Sequence, residues 1–337
     1  MRRAKAFTPN QRDIEVLRTV YDYRYLSIDV LAALLCEPAA AGRQYGFTIH
    51  ALRARCQKLR EHGYLTWQHL RDEPVGRGYR AERPVVYSIG PGAIDTLADR
   101  TGLTPRHIKS EVVKSAVTSF FLRHELGISR FRASLELKCR ASQGHMRIGT
   151  WLQGGLMDRV RAVVDGVEKD IAVVPDAAFS LLVCGPAEGQ RVSHYFLEYD
   201  TGSMSLRRIA LKVVGYEHYL SAGLHKRRYT YAGTQAEVLE LRFVKRAWDD
   251  MSAGQRKAVE SASAKTFQVL FVCRNASKDA HLPQEGSTAA RTRQQNIART
   301  IREIGPSSNR FLIRSELLDF GCTRSEAMPI TIPPLAT

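Results

Sequence analysis

The chain of 337 residues contains no apolar run of about eighteen residues, and its basic start, Met1 to Lys5, leads into no apolar signal core. A membrane span and a secretory route are not expected, and a cytoplasmic location is. Cysteine is scarce: Cys36, Cys56, Cys139, Cys184, Cys273 and Cys322 stand singly, with no C-x-x-C pair. That spacing offers neither a disulfide framework nor a structural zinc site, and it suits reduced thiols. The chain also lacks G-x-x-x-x-G-K-[ST], G-x-S-x-G, H-E-x-x-H and the paired histidines with which a relaxase holds a metal beside its tyrosine. P-loop hydrolysis, nucleophile-elbow chemistry and relaxase chemistry therefore have no support. Acidic residues are in deficit, 34 Asp and Glu against 50 Lys and Arg, for a net charge of +16. An excess of that size favours a polyanionic partner. A membrane surface is the weaker choice, because no helix pairs a wide apolar face with a basic one.

Three helical patterns open the chain. Thr8-Pro9 reads as the start of the first, with Ile14, Leu17, Val20 and Tyr21 as its apolar stripe; Ser27 caps a second, carrying Ile28, Leu31, Leu34 and Leu35. Thr48 caps the third, which runs to about His62 and stops at Gly63, with Ile49, Leu52, Cys56 and Leu59 on one face. Its other side carries His50, Ala51, Ala54, Gln57 and Lys58, flanked by Arg53, Arg55 and Arg60. Small residues beside long basic ones let a helix backbone approach a groove while cations reach phosphates. Two strand patterns follow, Tyr64 to Leu70 and Val85 to Ile89, joined by the tip Gly76-Arg77-Gly78-Tyr79-Arg80. This order predicts a winged helix-turn-helix that contacts double-stranded DNA through His50, Arg53, Arg55, Gln57 and Lys58 on the third helix and Arg77 and Arg80 on the wing. A solvated basic helix in a protein-binding winged helix is the plainer reading. A homodimer is the default assembly for such a module.

Past a linker at 101–110, a long helix is expected from Ser110 to Phe131, with Val113, Val117, Phe120, Phe121 and Leu126 buried. A series of strands follows: Met146 to Trp151, Arg161 to Val164 turning at Asp165-Gly166, Ile171 to Val174, Phe179 to Cys184 and Ser193 to Tyr199. Asp176 and Glu198 each close an apolar run, and the chain between them suffices for one strand, a turn at Gly185-Pro186 and a return strand. Both acids can then face one point. Carboxylates at the ends of buried strands lose hydration and need a compensating partner, for which a divalent cation or an arginine bridge from Arg207 or Arg208 would serve. Ser203 or Ser205 caps the next helix, whose Leu206, Ile209, Val213 and Tyr216 face inward, and Lys212 lies about two turns along it, either reaching back to the strand end or standing as a surface lysine. The run His225 to Tyr229 suits backbone phosphates or a solvated turn. Phe267 to Cys273, Arg291 to Ile304 and Phe311 to Ile313 complete the pattern as strand, helix and strand.

Val174-Pro175-Asp176, followed by Phe196-Leu197-Glu198-Tyr199-Asp200 and the helix carrying Lys212, resembles the PD-(D/E)XK nuclease core, with Asp200 standing where that family places its lysine. The wider segment, PDAAFSLL to FLEYDTGSMSLRRIALKVVGYEHYL, resembles the replication-relaxation family of plasmids and other mobile elements, in which a winged helix precedes such a core. The resemblance implies an α/β (α+β) chain with a winged helix-turn-helix at 1–100, a restriction-endonuclease-like mixed-sheet domain at 111–325 and a tail at 326–337. It implies a catalytic set of Asp176, Glu198, Lys212, Asp200, whose other reading is a cap of the next turn, and, through Arg123-His124-Glu125-Leu126-Gly127-Ile128, His124 in preference to Glu125, with a structural histidine as the plainer reading. Asp176 and Glu198 would hold Mg²⁺, with Mn²⁺ as a substitute, the Tyr199 carbonyl as a third ligand and Lys212 orienting a water. Two functions stay open: a DNA-binding endonuclease of a mobile element, and a non-enzymatic regulator or replication and mobilisation accessory protein, with other mobile-element proteins as partners, that uses its second domain to dimerise or grip DNA.

Overall fold

The computed structural model describes residues 7–36, 48–70, 85–113, 119–185, 189–227, 252–254, 267–274, 288–304 and 310–315. Within them the chain is a mixed α/β protein. Its first elements run α1 (Gln11–Tyr23), β1 (Leu26–Ser27), α2 (Ile28–Leu35), α3 (Ile49–Glu61), β2 (Leu65–His69) and β3 (Val85–Ile89). The three strands form one antiparallel sheet in the order β1-β3-β2. One apolar cluster gathers these elements: Val16, Leu17 and Val20 from α1, Leu31 and Leu34 from α2, Leu52, Cys56 and Leu59 from α3, and Leu65 and Ile89 from the sheet.

Local chemistry fixes the helix starts. Asn10, not Thr8, caps α1: its side chain accepts from the Asp13 N–H and the Asp13 carboxylate accepts from the Asn10 N–H, a reciprocal capping box that outcompetes the earlier Thr-Pro signal. Thr48 accepts from the Ala51 N–H at the start of α3. Ser27 stands at the α2 N-cap but makes no side-chain capping bond. Gly63 ends the α3 turn at φ +73°, a conformation open to glycine.

After a short 3₁₀ turn come α4 (Ile94–Thr101), α5 (Pro105–Val113) and α6 (Ser119–Ala141). The segment expected as a linker thus holds the end of α4 and the start of α5, and the expected helix Ser110 to Phe131 covers the end of α5 and the first half of α6, with residues 114–118 outside the described residues. Phe121, expected inside, is 46% exposed, and the buried face of α6 is set by Leu122, Leu126, Ile128, Phe131 and Leu135.

The larger sheet has five strands in the order β10-β9-β8-β7-β4. In chain order they are β4 (Met146–Gln153), β7 (Ala177–Gly185), β8 (Gly189–Asp200), β9 (Gln268–Cys273) and β10 (Phe311–Ser315). Pairs β4/β7 and β7/β8 are antiparallel, while β8/β9 and β9/β10 are parallel. The pleat sends alternate side chains to opposite faces. Tyr195, Leu197 and Tyr199 meet α6, whereas Phe196 meets α7 (Leu206–Ser221) and α8 (Thr288–Ile304). Between β4 and β7 the chain forms a separate two-stranded sheet, β5 (Asp158–Val164) and β6 (Val167–Val173). Its tight turn has Asp165 at φ 54° and Gly166 at φ 76°, both residues left-handed as a type I′ hairpin requires. The apolar run Ile171 to Val174 therefore lies mainly in this small sheet packed on α7, not in the central sheet where the apolar pattern alone placed it.

Candidate functional site

The acids meet at one end of the β7/β8 pair. The last ladder pair is Ala177↔Leu197, and the Asp176 N–H donates to the Leu197 carbonyl at 2.9 Å, which carries the pairing one step further. Asp176 and Glu198 are thereby brought opposite each other. The Asp176 carboxylate turns onto the strand end, where Oδ2 accepts from the Tyr199 N–H at 2.7 Å. His124 reaches the same point from α6, with Nε2 at 3.2 Å from Asp176 Oδ2 and 3.1 Å from the Tyr199 carbonyl oxygen. A nitrogen between two acceptors carries the proton, which assigns the Nε2–H tautomer to neutral His124. Nδ1 is buried and has no hydrogen-bond partner among the described residues. Burial lowers the His124 pKa, but the hydrogen bond and charge of Asp176 outweigh it, and the net direction is up.

Glu198 is 2% exposed and faces α7. Lys212 Nζ lies 2.5 Å from its Oε2, and the Tyr216 hydroxyl donates to its Oε1 at 2.5 Å. Lys212 and Tyr216 are four residues apart, so they share one helix face and can hold the two oxygens together. Burial pushes the Glu198 carboxyl up to about 7 against the pull of the Lys212 charge, with Asp176 adding to the rise. Burial also works against the Lys212 charge, yet Glu198 and Asp176 outweigh it and hold its pKa above the ordinary value. The ammonium therefore persists at neutral pH and is the cation of this centre. Arg207 and Arg208, weighed as bridge partners for Glu198, are exposed instead.

Asp200 is separate from this group. It accepts from Arg293 Nε at 2.6 Å and from Arg293 Nη2 at 3.1 Å, and its Oδ1 also accepts from the Gly202 N–H. It fastens α8 to the end of β8 and caps the following turn. Sequence reasoning missed Arg293, which lies 93 positions away with no local signal. It also treated Tyr216 as packing alone, although the i, i+4 spacing from Lys212 was visible.

The expected donor set for Mg²⁺ was Asp176, Glu198 and the Tyr199 carbonyl. Both Glu198 oxygens are occupied by Lys212 and Tyr216, the carbonyl accepts from His124, and Asp176 Oδ2 serves two donors. Among the described residues no group of three or more His, Cys, Asp or Glu is arranged to hold a metal ion. The side chains as they stand do not fit a divalent cation.

On α3, His50, Arg53, Gln57 and Lys58 are exposed beside Ala51 and Ala54, while Leu52, Cys56 and Leu59 are buried. Lys58 Nζ sits 4.6 Å from the centre of the Phe7 ring, and Gln57 donates to Glu61 at 2.9 Å. Arg55 is held differently. Its Nη1 bonds both oxygens of Asp13, at 3.0 and 2.9 Å, and Asp13 is 1% exposed. That guanidinium ties α3 to α1. Arg60 lies 5.0 Å from the Trp67 ring on β2, forming an exposed cation and aromatic pair. Arg77 and Arg80 lie outside the described residues, as do Arg228 and Tyr229; His225 is buried.

No helix among the described residues is long and apolar enough to cross a membrane. The replication-relaxation family model matches residues 17–234, which takes in the second half of α1 and everything described from there through α7, and with them His124, Asp176, Glu198 and Lys212. Comparison with curated proteins and with solved structures gives no match.

Proposed function

Because the chain belongs to the replication-relaxation family, we propose that it is a DNA-binding protein serving the replication or mobilisation of a plasmid or another mobile element. In this reading α1, α2, α3 and the β2/β3 hairpin act as a winged helix, and α3 enters the major groove. The observation that carries it is the division of α3 into a buried apolar face and an exposed face where His50, Arg53, Gln57 and Lys58 surround Ala51 and Ala54. The small residues let the helix axis come close to the groove floor. Arg53 and Lys58 then meet phosphates, while Gln57 and His50 reach base edges. The charge of +16 supports the same partner. The part built on the five-stranded sheet acts as a non-cleaving grip or assembly unit.

The endonuclease reading has one observation in its favour, the convergence of His124, Asp176, Glu198 and Lys212 at one strand end. The occupation of both Glu198 oxygens weighs against it. Fluorescence anisotropy with duplex DNA over a salt series tests the binding reading. Tight binding should weaken with salt, and Arg53→Ala and Lys58→Ala should each reduce the log–log slope by about 0.9. Binding without salt dependence, or unchanged in both variants, would overturn it. Incubation of supercoiled DNA with Mg²⁺ or Mn²⁺ tests the rest: scission abolished by Asp176→Ala would make the protein an endonuclease.

A further inference from the structure

Two carboxylates placed opposite each other across an antiparallel pair repel, and burial removes the water that would screen them. Asp176 and Glu198 are in that position, and Asp176 adds to the burial that raises the Glu198 pKa. Glu198 is the deeper of the two, with a side chain 3% exposed, and it requires a positive partner of its own. In a metal-dependent centre a divalent ion meets that need. Here α7 meets it. Ser205 starts the helix by accepting from the Arg208 N–H, and this start places Lys212 two turns along, where Nζ comes to 2.5 Å from Glu198 Oε2 and 3.5 Å from the Val174 carbonyl oxygen. Val174 lies two residues before Asp176, so the ammonium bridges the two chain segments that carry the acids. The Tyr216 hydroxyl takes the remaining Glu198 oxygen.

We propose that Lys212 is the resident cation of this centre, standing where a divalent ion would otherwise bind, so that the fold holds Asp176 and Glu198 without metal and gains a divalent-cation site only when the ammonium is removed. The inference concerns the sheet-bearing part alone and does not depend on the DNA-binding reading. Two consequences separate it from a nuclease centre that merely lacks its ion. The wild-type protein is indifferent to divalent cations, and a neutral side chain of similar length at position 212 makes it responsive, because Glu198 is then left facing Asp176 with no cation of its own.

The test is thermal unfolding of wild type, Lys212→Met and Lys212→Met/Glu198→Gln, each in EDTA and in millimolar Mg²⁺ or Mn²⁺. The wild-type midpoint should be the same in all three solutions. Lys212→Met should melt lower in EDTA and recover part of the loss, saturably, with Mn²⁺ or Mg²⁺. The double variant should lose that recovery, since one of the two carboxylates is gone. A Lys212→Met midpoint that ignores cations would overturn the proposal, as would failure of this variant to refold even with Mn²⁺ present. Electron paramagnetic resonance of Mn²⁺ with folded wild type supplies a readout that needs no folded variant at position 212. A stoichiometric bound ion that disappears in Asp176→Asn would show that a metal site coexists with the lysine and would refute the assignment; titration of Mn²⁺ as a free ion supports it.

Discussion

Arg55 offers the sharpest separation of a structural cation from one proposed to contact DNA. From the sequence it belongs with Arg53 and Lys58 on a basic helix, yet it is bonded to both oxygens of the buried Asp13. Removing one partner of a buried ion pair costs about 3–5 kcal/mol. Two features lower that figure here. The Arg55 side chain is 29% exposed, so part of its charge is already solvated, and Asp13 keeps the Asn10 N–H after the guanidinium is lost. We therefore expect Arg55→Ala to destabilise the helical N-terminal elements by about 2 kcal/mol, read as a shift of the urea midpoint without a change of slope. Asp13→Asn in the same background should cost less than it does in wild type, because the charge it removes no longer has its partner. Under conditions where both variants remain folded, the salt slope of DNA binding should be unchanged by Arg55→Ala and lowered by about 0.9 by Arg53→Ala. A normal urea midpoint together with a reduced slope in Arg55→Ala would show that Arg55 leaves Asp13 to contact phosphate, and the assignment would be wrong.

Arg293→Ala should destabilise by about 3 kcal/mol, because Asp200 is buried and would keep only the Gly202 N–H; hydrogen exchange should show the loss at α8 and the adjoining strand β9. Gly127→Ala places a methyl group 2.2 Å from the Tyr199 ring, which is buried and cannot retreat, so α6 must lift off the sheet. Calorimetry should show a loss of about 1–3 kcal/mol, with a weakened His124 contact to the Tyr199 carbonyl visible in the imidazole NMR shifts. Glu198 gives the pH dependence. Its pKa is raised on folding from 4.5 to about 7, so the folded chain binds a proton that the unfolded chain has released. The stability this confers is complete below about 4.5 and is lost as pH rises through about 7. Glu198→Gln should flatten that part of the stability curve in urea titrations taken across the window, and an unchanged curve would refute the assignment.

The elements with strong local chemistry were legible in the sequence. The Thr48 cap, the Gly63 stop, the Asp165-Gly166 hairpin and the Ser205 start of α7 are each set by residues within a few positions of one another. The order of β7 and β8, and with it the meeting of Asp176 and Glu198, followed from strand spacing. What was not legible depended on contacts distant in sequence. The pattern of Ile171 to Val174 is equally apolar in a central strand and in a small sheet facing α7, and only packing against Val213 and Tyr216 distinguishes them. The turn-capping role of Asp200 was legible beside Gly202, but its ion pair depended on an arginine on a helix formed much later in the chain. Arg55 looked like its basic neighbours because nothing near it in sequence reveals Asp13 beneath.

The remaining link is between the basic helix and the polar centre, and α6 supplies it. Helix C-termini present unsatisfied carbonyl groups and the negative end of the helix dipole, so they attract donors and cations. At the end of α1, Ser129 donates to the Tyr23 carbonyl at 2.8 Å and Arg132 donates to the Asp22 carbonyl; at the end of α2, Arg140 donates to the Leu34 carbonyl at 2.8 Å. Arg24, just past α1 at φ 68°, pairs with the buried Glu125 at 3.2 Å, and Gln153 of β4 donates to the same oxygen. Glu125 directly follows His124. The helix that delivers the imidazole to Asp176 is thus the helix that caps the first two helices of the DNA-binding candidate. Rotation of α6 about its axis would disturb both ends of this arrangement together, which couples the seating of α1 and α2 to the geometry of the Asp176 strand end.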